Sequence, residues 1–191
     1  MVTKILASVL VLVMMGGALV LGSNAIFTDS ELVGGNTFTT GNIDISTSPT
    51  SSLVTFSGMM PGDVTTQALT VSNAGSGQLR YAISASATNA DAKALKDQLV
   101  MTINTVDVTT PGTPCDDFDG TQLYTGDLDG TAGVLVGSSA QGAQAGDRVL
   151  DASNNEVLCF RVSLPLSATN AVQSAATTAT FTFDAEQTAN N

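Results

Sequence analysis

The sequence predicts an all-β fold, a jelly-roll-like antiparallel β-sandwich with one or two short helices. Two observations predict it. Short apolar–polar alternations recur along the chain, and Gly, Pro and Asn separate them. Thr, Ser, Ala, Gly and Val abound while Trp and His are absent; Thr and Val favour strands, and Gly favours turns. The acids are dispersed among apolar positions, which argues against disorder. A length of 191 residues leaves one domain once a leader is removed.

The leader comes first. Residues 1–4 carry the amine and Lys4, and residues 5–22 are uncharged and mostly apolar. Ser23 and Ala25 then place small side chains at the minus-three and minus-one positions of a cut between Ala25 and Ile26. A signal peptidase selects small residues there because its pockets exclude bulk. Read instead as an uncleaved anchor, the run is short, since roughly 20 residues are typical of a span. No Cys follows it, so a lipoprotein anchor is excluded, and LPLSA at 164–168 lacks the Thr-Gly and hydrophobic tail of a sortase signal. The expected organisation is a signal peptide at 1–25, a separate stretch at 26–35 and a sandwich domain at 36–191. The mature chain is expected to be secreted, in an extracellular matrix or at the cell surface.

Within the body, residues 38–45 lead through Gly41 into Ile43 and Ile45 on one face, and Val54 and Phe56 share a face. MMPGD at 59–63 reads as a turn, with Pro and Gly setting its backbone angles. Leu69 and Val71 alternate with Thr70 and Ser72. NAGSG at 73–77 turns the chain, and Tyr81, Ile83, Ala85 and Ala87 alternate next. One helix is predicted over 90–99, capped by Asn89, with Leu95 and Leu99 four apart toward the core. A strand follows over 100–108, and residues 109–150 read as loop. Residues 157–164 form a strong strand with Leu158, Phe160, Val162 and Leu164 on one side. The last strand, 178–185, sets Ala179, Phe181, Phe183 and Ala185 against threonines. The total is about eight strands, with no internal repeat.

The two cysteines are Cys115 and Cys159. In an exported chain an even count reads as a disulfide, the alternative being two separate thiols. Closing that loop stabilises the fold by roughly 4 kcal/mol at most in the chain-entropy model.

Charge excludes whole classes of partner. With 17 acids against 6 bases and a net charge of −11, the chain suits neither nucleic acid nor an anionic lipid surface. Membrane contact is expected only through the uncleaved leader. Catalytic chemistry is missing too. Without His there is no HExxH zinc site, no Ser-His-Asp triad and no Cys-His pair. SxxK, the P-loop and the dinucleotide fingerprint are also absent, and nothing singles out a glycosidase pair of acids. The chain reads as a non-enzyme with no required cofactor. One acidic pattern remains. DDFDG at 116–120 and DLDG at 127–130 offer Asp117, Asp119, Asp127 and Asp129 as calcium candidates, because alternate Asp oxygens before a Gly turn can converge on a hard cation. Neither completes an EF-hand loop, and solvated turns are the alternative.

Several segments together carry a resemblance: AIFTD at 25–29, NTFTTGNIDI at 36–45, MPGD at 60–63, LTVSNAG at 69–75, LCFRV at 158–162 and FTFDAEQ at 181–187. In this order and spacing the chain resembles the TasA/camelysin family of exported proteins with SipW-type signal peptides. The resemblance implies a jelly-roll sandwich and, for members such as TasA, a fibre subunit of the bacterial biofilm matrix. It implies a SipW-like signal peptidase as processing partner, and copies of the chain itself as filament partners. It also implies that an N-terminal strand is donated into the next subunit. Carried onto this chain, the donor is residues 26–35, with Ile26, Phe27, Thr28, Asp29, Leu32 and Val33 as its strand and Phe27 as anchor. Some members are classed as metalloproteases; a chain with no His does not inherit that activity.

Physical reasoning supports the carry-over. An open sheet edge exposes unpaired N–H and C=O groups, and a donated strand satisfies them. A heterologous contact that does not close repeats into a filament. Asp29 and Glu31 make the donor acidic, and Gly34 and Gly35 suit a hinge. The competing reading is a secreted monomeric β-sandwich that binds a cell-surface ligand or serves as a minor fibre accessory.

Overall fold

The computed structural model describes residues 37, 39–51, 53–106 and 114–189. The leader, the cleavage residues Ser23, Ala25 and Ile26, the donor residues through Val33 and the Gly34 and Gly35 hinge all lie outside the described residues. From Thr40 onward the chain belongs to one compact unit, Thr40–Asn191.

Among the described residues the strands are β1 Ile45–Ser48, β2 Val64–Asn73, β3 Leu79–Ala87, β4 Val100–Thr105, β5 Gln122–Asp127, β6 Val134–Val136, β7 Arg148–Leu150, β8 Asn155–Ser163 and β9 Ala179–Gln187. They form two antiparallel sheets in a sandwich-like arrangement. The first sheet has the order β1-β2-β8-β4-β5. The second is built on β3. There β9 pairs along the whole of β3, from Leu79↔Gln187 to Ala87↔Ala179. The short strands β7 and β6 meet β3 at Leu79↔Leu150 and Ile83↔Val136, which places them on its other side.

The alternation read from the sequence sets the core. Leu158, Phe160 and Val162 of β8, Met101 and Ile103 of β4, and Leu69 and Val71 of β2 project inward and are buried. They meet Leu79, Tyr81 and Ile83 of β3, while Phe181 and Phe183 of β9 pack half-buried against this core. Phe160 and Phe181 join the sheets in an edge-on contact, with ring centroids 5.5 Å apart.

The sandwich has two ends. At one, β2 ends in Asn73, which is 1% exposed and fully engaged. Its side-chain oxygen accepts from Gly75 N at 2.9 Å, and its Nδ2 donates to the Gly77 and Asp151 carbonyls at 2.8 and 3.1 Å. At the other end β2 starts at Val64, opposite Ser163. There Gly62 N donates to Leu164 O at 2.7 Å.

Four expectations need correction. The strand expected over 38–45 begins only at Ile45. The backbone before it serves the 73–77 turn instead: Ser76 N and Gly77 N both donate to Asn42 O at 3.0 Å. A Cβ at Gly75 would sit 2.5 Å from that oxygen, so only glycine admits the approach. The helix expected over 90–99 is a single 3-10 turn, Leu95–Asp97. Ala92 and Ala94 have φ of 57° and 56°, left-handed angles that a helix cannot continue through. Asn89 still bonds forward, accepting from Ala94 N at 2.8 Å. A second 3-10 turn, Asn170–Val172, follows β8. The stretch read as loop over 109–150 contains β5, which pairs with β4, and the short strands β6 and β7, which pair with the longer β3. Val54 and Phe56 lie outside any strand.

Candidate functional site

The densest polar chemistry lies between the sheets. Tyr81, Arg148 and Glu156 share the inward parity of Leu79, Leu150 and Leu158, so backbone alternation sends all three into the interior. The Tyr81 hydroxyl donates to Glu156 Oε1 at 2.7 Å. Arg148 grips the same carboxylate with two donors, Nε to Oε1 at 3.3 Å and NH2 to Oε2. Burial, then the Glu156 carboxylate, pushes the Tyr81 hydroxyl far above its ordinary range. Hydrogen bonding to Glu156 holds Arg148 charged. Each group is satisfied by the others, so the cluster joins strands and is not poised for proton transfer.

The outer face of the first sheet carries the second constellation. Cys115 and Cys159 form a disulfide across a sequence separation of 44. It ties the 115–120 loop over the middle of β8. Next to it the Arg161 guanidinium lies 3.7 Å from the Phe118 ring centroid. Arg161 Nε also donates to Thr66 Oγ1 at 3.2 Å, and Asn104 Nδ2 to Phe118 O at 3.2 Å.

The four acids named from the sequence fall in two places, the loop before β5 and the end of β5 with the turn after it. Asp117 and Asp119 sit in the loop that Cys115 anchors, and each holds an interaction of its own. Asp127 closes β5, and its carbonyl accepts the Tyr124 hydroxyl at 2.7 Å. Asp129 follows in the next turn, its carboxylate 3.0 Å from Lys96 Nζ. Lys96 also reaches Asp97 at 2.9 Å. Among the described residues no group of three or more His, Cys, Asp or Glu side chains is placed to hold a metal ion.

The strand edges form the third feature. Sheet pairing covers β2 from β8 over Val64↔Ser163 to Ser72↔Asn155. On its other side β1 covers only residues 70–73. Among the described residues the outer edge of 64–69 faces no strand. Where that edge begins, Met60, Val64 and Leu166 are 65%, 52% and 83% exposed.

Residues 1–109 match the profile of the family described as camelysin metallo-endopeptidase. The chain belongs to the TasA/camelysin family. No curated protein matches it. Camelysin-family membership points to an extracellular or membrane-associated protein. Among the described residues no helix is long and apolar enough to cross a membrane. The family description implies a catalytic metal, and the described residues do not fit one. The chain has no His, and Asp129, one of its few clustered acids, is already engaged by a lysine. In this camelysin-family chain the sequence reading missed the Tyr81, Arg148 and Glu156 cluster, because Arg148 stood in a stretch taken for loop. It also missed the apolar group at the Val64 end. Its one visible sign was a Met pair set in a Pro-Gly turn, where polar residues are usual.

Proposed function

We propose that the chain is an exported structural subunit of an extracellular fibre or biofilm matrix, assembled by donation of its N-terminal strand. In this reading a SipW-like signal peptidase cuts between Ala25 and Ile26 and frees residues 26–35. That segment then pairs with a sheet edge of the next copy, with Phe27 as its inserted anchor. The observation that supports it best is the incomplete edge of the first sheet, where β1 pairs with only four positions of a ten-residue β2. A sandwich with its own core and a strand edge left without a strand partner is suited to taking an added strand. The fibre role needs no catalytic group and no cofactor, in keeping with a chain that lacks His.

Electron microscopy of the purified mature protein, with its N-terminus determined, tests the reading. Filaments are expected from the intact mature chain and none from a chain lacking residues 26–35. An intact mature chain that stays monomeric at high concentration and across salt would instead support a secreted monomeric module that binds a cell-surface ligand.

A further inference from the structure

The terminal strands of the two sheets are not alike. Natural proteins blunt a sheet edge by keeping it short, by a bulge, or by Lys or Pro, because its unpaired N–H and C=O groups invite another strand. Among the described residues β1 has four residues, and β6 and β7 have three each. β5 is broken by a register shift opposite Ile103 and Asn104. β9 carries none of these devices. ATFTFDAEQ at 179–187 runs nine residues without Pro, Gly or Lys. It pairs with β3 in one unbroken register, and among the described residues no strand lies on its other side.

Hydrogen-bond parity fixes what that edge offers. At the two ends of the ladder Thr88 N donates to Thr178 O at 3.0 Å and Thr188 N to Gln78 O at 3.2 Å. Antiparallel bonding alternates, so the even residues of β9 spend their backbone groups on β3. The odd ones, Phe181, Phe183 and Ala185 among them, point theirs outward. Their side chains lie on the inner face of the sheet, where Phe181 and Phe183 are only half-buried.

From this arrangement we infer that β9 pairs with β9 of a second copy, antiparallel about a two-fold axis, so that the second sheet runs on from one molecule into the other. Three features select this occupant and its register. A pairing centred on Phe183 overlaps all nine residues and sets outward backbone groups against outward backbone groups. On the inner face it places Phe181 opposite Ala185 of the other copy, large beside small. On the outer face it places Asp184 opposite Thr182 and Glu186 opposite Thr180, each carboxylate against a hydroxyl that can donate to it. Glu186 is in addition neutralised within its own chain by Arg80 Nε at 3.1 Å. A pairing centred on Ala185 would oppose Asp184 and Glu186 instead, and like charges directly opposite destabilise a strand pair. The contact is isologous and closes on itself as a dimer. It uses neither the leader nor residues 26–35, so it is separate from strand donation. Where donation builds threads, it would tie two of them side by side.

Analytical ultracentrifugation of the mature protein lacking residues 26–35 tests this. That chain keeps the compact unit from Thr40 onward, and strand donation cannot contribute to its association. A monomer–dimer equilibrium is expected. Ala185→Pro should abolish it, because proline removes an outward N–H and leaves the bonds to β3 in place. Thr182→Asp sets an acid opposite Asp184 twice across the axis and should raise the dissociation constant about tenfold. Thr182→Lys should lower it by a similar factor. Thr182 is exposed, so these two variants carry the test if circular dichroism shows that Ala185→Pro has unfolded. A truncated chain that stays monomeric up to about 1 mM would overturn the β9 contact and leave strand donation standing. A dimer indifferent to both Thr182 variants would be held by another surface and would overturn it as well.

Discussion

The Tyr81 hydroxyl on β3 donates to Glu156 Oε1 on β8 at 2.7 Å, so a single hydrogen bond links the central strands of the two sheets. Because its acceptor is charged, such a bond is worth about 1.5–3 kcal/mol. Tyr81→Phe should lose that amount in urea unfolding. The variant should also change the response to alkali. Tyr81 titrates in the folded chain above its ordinary 10.0, chiefly because it is buried. Its contribution is therefore whole below pH 10.0 and is lost as pH rises above it, where only the unfolded chain gives up the proton. Wild-type stability should fall with pH in that window more steeply than that of Tyr81→Phe.

Phe160 is fully buried and touches Phe181 edge-on across the sheets. Phe160→Ala should cost about 3–5 kcal/mol through lost transfer energy and the cavity left behind. A double-mutant cycle with Phe181→Ala should return a coupling of about 0.5–1.5 kcal/mol. A coupling of zero would mean that the ring contact contributes nothing beyond burial.

The disulfide should stabilise by about 2–4 kcal/mol. Replacing Cys115 and Cys159 together by Ala should lower the urea midpoint accordingly. It should also free the 115–120 loop, read as loss of the Phe118 ring shielding of Arg161 in proton spectra. Unchanged stability in the double variant would show that the loop packs without its covalent tie.

Asp91 offers an acid-side test. The Ala176 amide, and after it the Lys93 amide, donate to its carboxylate and hold its pKa below the ordinary 3.8. A depressed carboxyl stabilises above its unfolded value and loses that contribution as pH falls through the folded one. The Ala176 amide resonance should therefore titrate with a midpoint below 3.8, and Asp91→Asn should abolish the step.

Much of the fold was legible because alternation and burial coincide. Leu158, Phe160 and Val162 gave β8 away, as Tyr81, Ile83 and Ala85 gave β3. The failures have physical causes. QLYTGD at 122–127 has no clean alternation and is a strand only because β4 supplies its partner. The 90–99 segment has the composition of a helix, and tertiary ties override it: Asp91 is bound to Ala176 and Lys93 to Gln173. Glu156 and Arg148 did not stand out, since no local signal announces that two polar residues on different strands will satisfy each other inside. The cysteine pairing was readable from the even count and the expected export signal. The exposed group at Met60, Val64 and Leu166 was not, because Leu166 lies about a hundred residues from the other two and only the β2–β8 ladder unites them.

The disulfide also sets how far the molecule can stretch. Strands β5, β6 and β7 all lie between Cys115 and Cys159. A tensile load applied through the two chain ends cannot draw that interval out. The separation of 44 residues, roughly 150 Å of extended chain at about 3.4 Å per residue, stays out of the contour that force can lengthen. A thread of such units under shear would give less per link before the next link bears the strain. Its compliance would rise only under reducing conditions.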